Sequence, residues 1–244
     1  MTTQIFVTEA GLEVPAITTD QMREVDRVAI EEVGPNLYQM MENAGRSLAL
    51  TVLDRLGDDW ATTPIAVLAG TGGNGGGGIC AARHLVNRGA DVTVVISDEE
   101  RLASVPDKQL AVYRGTNGKL VRIDELGALR PGLVVDAVIG YSLGGAPRGT
   151  ARRMIDWMGD QSAPVVSLDV PSGIDSTTGE APGDYVQAAV TLTLALPKTG
   201  LDVAAAGDLM LADIGIPAEV YRRVGIDLPA GIFGAGYRVT VRPT

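Results

Sequence analysis

The chain has 244 residues, 45% hydrophobic and 20% charged, the composition of an ordinary globular domain and not of a disordered or fibrous chain. Its 20 basic against 30 acidic residues leave a net charge of −10, the wrong sign for a nucleic-acid surface. A single cysteine, Cys80, and a single histidine, His84, exclude a disulfide framework, a cysteine zinc cage and a multi-histidine metal site.

From the N-terminus, Met1 to Ala16 has neither a basic start nor a continuous apolar run, and no stretch approaches the roughly 20 apolar residues of a membrane span. With one free cysteine, this predicts a cytoplasmic protein without a membrane partner. Residues 1–17 read as an N-terminal extension, 18–225 as one domain, and 226–244 as an apolar, glycine-rich tail packing on it. Met22, Val25, Ala29 and Ile30, then Leu37, Met40, Met41, Ala44, Leu48 and Val52, recur at helical spacing. They predict two helices broken at Gly34-Pro35, the first capped by Thr19 or Asp20 and the second by Asn36.

Short β-branched runs follow, separated by helical stretches. Strands are expected at 64–69, 91–96, 119–123, 133–139, 165–170 and 188–196, and helices at 79–88, 107–113 and 151–158. Alternation of this kind implies an α/β fold with a mostly parallel sheet covered on both faces.

The most specific local feature is Gly70-Thr-Gly-Gly-Asn-Gly-Gly-Gly-Gly78, between a strand and a helix. Glycines let backbone approach a ligand closely, and a helix N-terminus presents unpaired N–H groups to a pyrophosphate. Gly70, Gly72 and Gly75 satisfy G-x-G-x-x-G, and Asp98 and Glu99 follow the next strand, as in a dinucleotide-binding crossover. A tight strand-to-helix turn without ligand is the plainer alternative. Three further segments fall at predicted strand ends, where open α/β sheets keep their ligands: Asp136 to Gly140, Asp169-Val-Pro-Ser-Gly-Ile-Asp175, and Leu196-Pro-Lys-Thr-Gly200. Asp169 directly follows an apolar run, which puts its carboxylate at the rim of the sheet; capping a neighbouring turn is its alternative role. His84 and Cys80 read as packed residues of the helix after the glycines, and Met40 and Met41 as core fillers on a helix suited to dimer contacts.

Met41-Glu-Asn-Ala-Gly45, the glycine run leading to Ala82-Arg-His-Leu85, Asp136-Ala137 with Gly140, Asp169 to Asp175, Lys198-Thr-Gly-Leu201 and Asp213-Ile-Gly-Ile-Pro217 occur in one order. That ordered set resembles the YjeF N-terminal family, over roughly residues 18–220. The resemblance implies a Rossmann-like three-layer α/β/α sandwich, usually dimeric, that interconverts the R and S forms of hydrated NADH or NADPH and binds a potassium ion. It places potassium ligands at Asn74, Asp136 and Ser172. Substrate positions fall on Gly72, Gly73, Asn74, Gly75, Gly76 and Gly77, on Gly140, Tyr141, Ser142, Leu143, Gly144, Gly145 and Ala146, and on Asp169. A dehydratase acting in the same pathway is expected to be a separate protein.

The chemistry needs an acid for the departing hydroxyl and a water delivered to the other face of the ring. Asp169, partly desolvated by Val170 and Pro171, is the expected acid/base, with Lys198 second; a solvated lysine or a diphosphate contact is the ordinary alternative for Lys198. Compared with the family's loop, Gly73 replaces an asparagine and Gly77 an aspartate, and Thr177 stands where an aspartate is common. The two glycines keep open a non-catalytic or altered-substrate binding module on the same fold. A conventional NAD-dependent oxidoreductase is the third reading, without a catalytic Tyr-Lys pair or histidine that can be placed.

Overall fold

The β-branched runs of the middle of the chain form the parallel part of one sheet. In a computed structural model that describes residues 4–244, the strands are β3 (Ile65–Ala69), β4 (Val92–Ile96), β5 (Lys119–Val121), β6 (Leu133–Ala137), β7 (Val165–Leu168), β8 (Val190–Leu194) and β9 (Asp208–Ala212). They pair in parallel in the order β9-β8-β7-β6-β3-β4-β5. All five residues of β3 are buried, as a strand covered on both faces requires. The expected alternation of strands and helices therefore holds, with strand ends shifted by at most two residues, and β9 is a strand the sequence analysis does not place.

Three antiparallel strands extend the β9 edge. β10 (Arg238–Pro243) pairs with β9, β1 (Ile5–Thr8) pairs with β10, and β2 (Glu13–Pro15) closes the edge. The segments 1–17 and 226–244 thus join the main sheet, although residues 1–3 lie outside the described residues. Fully buried Phe6 anchors β1; burial of such a side chain contributes about 1.5–3 kcal/mol.

The helices are α1 (Thr19–Val28), which runs on as a π turn over Ala29–Val33, α2 (Leu37–Leu56), α3 (Gly73–Val86), α4 (Ser104–Tyr113), α5 (Gly149–Gly159), α6 (Val203–Ala206) and α7 (Ala218–Arg223). Thr18, not Thr19 or Asp20, caps α1, through a capping box with Gln21; Asn36 caps α2 with Gln39, as expected. Val67 and Leu68, adjacent on β3, face opposite ways. Val67 packs with Leu48, Ile79 and Leu110 of α2, α3 and α4, while Leu68 packs with Met154, Ile155 and Met158 of α5. α1 and α7 cover the edge built by β1 and β10.

β3 is the point where the chain reverses its direction across the sheet: β4 and β5 are laid down on one side of it, and β6 to β9 on the other. In open α/β sheets the crevice at such a reversal, beyond the carboxyl ends of the strands, is where ligands bind.

Candidate active site

The glycine run that leaves β3 divides between two tasks. Only Gly70 to Gly72 stay outside a helix; α3 begins at Gly73, earlier than the sequence suggests, so Gly75 to Gly78 are buried in its first turns. A Cβ on Gly75 would overlap the Gly70 carbonyl, one on Gly78 would lie 2.5 Å from Ala137 Cβ, and one on Gly77 would lie 2.7 Å from Leu168 Cδ2. These glycines let α3 descend onto the sheet. Gly72 and Gly73 have nothing within 4 Å of a Cβ position, and they face open space. The unpaired N–H groups of the first turn of α3 look the same way.

Asp169 ends β7 with φ of 71°, a left-handed conformation unusual for a residue other than glycine. That turn swings its carboxylate into the sheet rim, where Oδ2 accepts the Tyr141 N–H at 3.0 Å and Oδ1 pairs with the Lys198 ammonium. Lys198 also donates to the Leu194 carbonyl at 2.7 Å. It is completely buried, which sets aside the solvated-lysine alternative. Ala195, at φ 64°, turns the chain after β8 so that residues 196–200 return under Asp169. A fully buried lysine persists only where a carboxylate and further acceptors meet it. Asp169 and Lys198 are therefore one unit, and not a turn cap beside a surface cation.

Asp136, at the end of β6, is fully buried and accepts from Ser172 N–H (2.9 Å), Ser172 Oγ (2.6 Å), Ser167 Oγ (2.9 Å) and Val138 N–H (3.2 Å). Burial pushes its carboxyl above the ordinary range, and these donors oppose the shift. Ser172 Oγ also accepts the Ile139 N–H at 2.8 Å, which ties the loop after β6 to the loop after β7. Asn74 stands beside Gly140, whose Cβ position is 3.1 Å from the Asn74 Oδ1 and 3.2 Å from Asp169 Oδ2. One buried amide atom of Asn74, Nδ2, has no partner among the described residues. Asn74, Asp136 and Ser172 thus offer oxygen donors of the kind a hard cation takes. The Asp136 oxygens are already engaged by protein donors, so a cation there competes with the hydroxyls of Ser167 and Ser172.

A fourth wall comes from α1, from which the sequence reading took no site residue. Asp26 Oδ2 accepts the Tyr141 hydroxyl at 2.6 Å. Burial pushes the Asp26 carboxyl up, against the hydrogen bond from Tyr141 and the charge of Lys198. The available signal was positional: Asp26 lies one turn after Met22, on the helix face that buries Met22 and Val25. Thr19 Oγ1 meets Ser176 Oγ at 2.6 Å, and Thr177 Oγ1 accepts the Thr19 N–H at 2.9 Å. Thr177 thus docks α1.

These groups enclose a cleft of about 550 Å³. Gly72, Gly73, Asn74, Gly77, Gly140, Tyr141, Ser142, Asp169 and Lys198 line it, opposite an apolar wall of Met22, Met40, Met41 and Pro106. Of the expected substrate positions, Gly75 and Gly76 are buried behind the wall, and Leu143, Gly144, Gly145 and Ala146 lie on the loop beyond it. Asp136 and Ser172 sit beneath its floor, fully buried. Asp98 and Glu99 do not line the cleft either, and Glu99 pairs with Arg114, so the acidic ribose contact of a dinucleotide crossover is not formed. Met40 and Met41 are site-wall residues as well as core. A broader depression of about 840 Å³ at the other end of β8 and β9 contains none of these residues.

His84 belongs to a separate cluster between α2 and α3. Glu42 binds Arg83 at 2.6 Å and His84 at 2.8 Å, with Cys80 Sγ at 3.3 Å. Glu42, Cys80 and His84 are spaced like metal ligands. The Arg83 guanidinium, 3.4 Å from Cys80 Sγ, already supplies the positive charge there. Burial pushes the Cys80 thiol up to about 12, which makes it an inert packed residue, as its sequence context suggests.

Residues 37–200 match the family model described as YjeF-related protein N-terminus. The chain belongs to that family. Among its YjeF-related relatives, the NAD(P)H-hydrate epimerase of Dehalogenimonas lykanthroporepellens is 47% identical over 234 residues, covering 96% of each chain. The NAD(P)H-hydrate epimerase of Truepera radiovictrix is 35% identical, over 85% of this chain and 93% of its own. The bifunctional NAD(P)H-hydrate repair enzyme Nnr of Salinibacter ruber is 38% identical over 86% of this chain, but the match spans only 42% of that enzyme. Among solved structures, yeast ynu0 superposes with a TM-score of 0.77 at 22% identity, covering 88% of this chain and 95% of its own; the fold is therefore shared.

Proposed function

We propose that this YjeF-related chain is an NAD(P)H-hydrate epimerase. The observation that carries the reading is the buried Asp169–Lys198 pair on the wall of a cleft at the sheet's reversal point, in a chain 47% identical to a relative of that name. The hydrated nicotinamide is a hemiaminal, with its hydroxyl on a carbon bonded to the ring nitrogen. As the nitrogen lone pair forms C=N, the C–O pair leaves with oxygen, which must be protonated; water then adds to the opposite face and gives up a proton. Asp169 is the acid/base of that exchange, fixed by Tyr141 N–H and held by Lys198. Gly72, Gly73 and the first turn of α3 take the diphosphate through backbone N–H groups.

Potassium is the proposed bound ion, held by Asn74, Asp136 and Ser172, and supported by the oxygen donors these three side chains offer. When bound it supplies a fixed positive charge beneath the glycine turn. The working form is proposed to be a cytoplasmic homodimer, with exposed Leu37 and Tyr38 of α2 at the contact. It acts on a small dinucleotide alongside a dehydratase of the same hydrates, without nucleic acid. No described helix is long and apolar enough to cross a membrane.

Purified R-hydrate of NADH, incubated with the protein in potassium or in sodium buffer and followed by chromatography, tests the reading. Appearance of the S form well above the uncatalysed rate, faster in potassium, is expected. A rate equal to the blank from folded protein overturns it in favour of a binding module. In that case Gly73, which leaves open space where the family resemblance leads one to expect asparagine, is the first position to change.

A further inference from the structure

Epimerisation works on both faces of one ring carbon, and Asp169, fixed by the Tyr141 N–H and Lys198, is held at one place on the cleft wall. Tyr141 is the residue that joins Asp169 to a second carboxylate. Its N–H donates to Asp169 Oδ2 at 3.0 Å and its hydroxyl donates to Asp26 Oδ2 at 2.6 Å, so the two carboxylates are held a tyrosine side chain apart. Both Asp26 and Tyr141 line the cleft. Asp169 is paired with Lys198, whereas Asp26 makes no salt bridge among the described residues. Two carboxyl groups with such different surroundings divide acid and base roles at other enzyme sites. Docking of α1 does not require this pair, because Thr19 already ties α1 to the same loops through Ser176 and Thr177, and Ser176 Oγ to the Tyr141 carbonyl at 2.8 Å.

We propose that Tyr141 is a second catalytic residue, which exchanges a proton with the hydroxyl on the ring face opposite Asp169, and that Asp26 positions its hydroxyl and resupplies that proton. The assignment rests on the epimerase reading. In one direction the C–O bond breaks, the ring nitrogen lone pair becomes the C=N bond, and the departing oxygen takes the Tyr141 proton and leaves as water. In the reacting state the Asp26 carboxyl is protonated and its Oδ2–H donates to the Tyr141 oxygen, which frees the Tyr141 proton for the departing hydroxyl and replaces it as it leaves. Water adding to the other face forms the new C–O bond, the C=N pair returns to nitrogen, and the spare proton passes to the Asp169 carboxylate. One proton has then moved from Asp26 to Asp169 and returns through solvent in the cleft; the opposite epimerisation runs these steps backwards. Burial pushes the Asp26 carboxyl up, as a resupplying acid needs, and burial followed by the Asp26 charge pushes the Tyr141 hydroxyl up, which keeps it a donor.

Tyr141→Phe and Asp26→Asn test the assignment, since the first removes the hydroxyl, the second replaces the ionisable carboxyl with a neutral amide, and both keep the shape. With saturating R-hydrate of NADH, each is expected to lower kcat by about 100-fold or more while KM changes by only a few-fold. The double variant is expected to be no slower than the worse single one, because the two groups act as a unit. Asp26→Glu is expected to recover part of the rate. The wild-type kcat should fall as pH rises and Asp26 loses its proton, a limb that Asp26→Asn and Tyr141→Phe both lose. The charged and titratable groups facing Asp26 are Tyr141, the Asp169–Lys198 pair and Tyr221 of α7, and Arg23 of α1 faces Tyr141. All but Tyr141 are intact in both variants, so a limb missing from both belongs to Asp26. Folded Tyr141→Phe protein with wild-type kcat and an unchanged pH profile overturns the assignment and leaves the epimerase reading standing. Wild-type protein that does not accelerate the interconversion overturns both, and the wild-type arm alone reports it.

Discussion

Lys198 and Asp169 show how much a single buried charge pair controls. Removing the ammonium with Lys198→Met leaves an unpaired carboxylate with almost no exposure, at an expected cost of about 3–5 kcal/mol, read as a lower midpoint in urea unfolding. Asp169→Asn keeps the shape but has one oxygen where the carboxylate uses two, Oδ1 for Lys198 and Oδ2 for the Tyr141 N–H, so one of these donors meets the new amide NH2 and the buried ammonium loses its counter-charge, at an expected cost of about 3–5 kcal/mol. It is expected to abolish turnover while dinucleotide binding by calorimetry survives; a surviving rate would remove Asp169 from the chemistry. Asp169 was legible as a functional residue because it follows an apolar run and opens a recognisable segment. Asp26 was not, since a charged residue on an amphipathic helix ordinarily faces water, and only the packing of α1 beside the loop after β6 turns it inward.

At the level of elements, the glycine run separates what packing demands from what a ligand demands. Gly78→Ala sets a methyl group 2.5 Å from Ala137 Cβ, on a strand that cannot retreat, and is expected to destabilise by about 1–3 kcal/mol. Gly73→Ala meets nothing within 4 Å and gains helix propensity, so its melting temperature is expected to stay level or rise slightly. Equal losses from the two would show that α3 does not lie where its glycines place it. The strand, turn and helix around this run were readable from periodicity. The start of α3 was not, because four successive glycines look like a loop until a sheet and a neighbouring helix hold them in helical backbone.

At the scale of the whole molecule, both ends of the chain complete the sheet. β10 lies between β9 and β1, so ending the chain after Tyr237 removes the partner of both strands. The truncated protein is expected to melt lower and to associate through the uncovered β9 edge, measured by circular dichroism and light scattering. An unchanged monodisperse profile would mean that β10 contributes little. These strands lack the continuous apolar runs that mark the central ones: β10 buries only Val239 and Val241, and β1 and β2 have four and three residues with alternating burial.

The sequence by itself determined the α/β class, the order of the central strands and helices, and the family, because buried parallel strands and covering helices leave strong periodic signals and the motif order is specific. Tertiary structure alone decided which residues share the cleft. Asp26, Tyr141, Asp169 and Lys198 are spread over more than 170 positions of chain, and only the strand order of the sheet, with α1 packed beside the loop after β6, brings a carboxylate from a helix to one from a strand end. The same packing buries Lys198 and turns most of the glycine run away from any ligand.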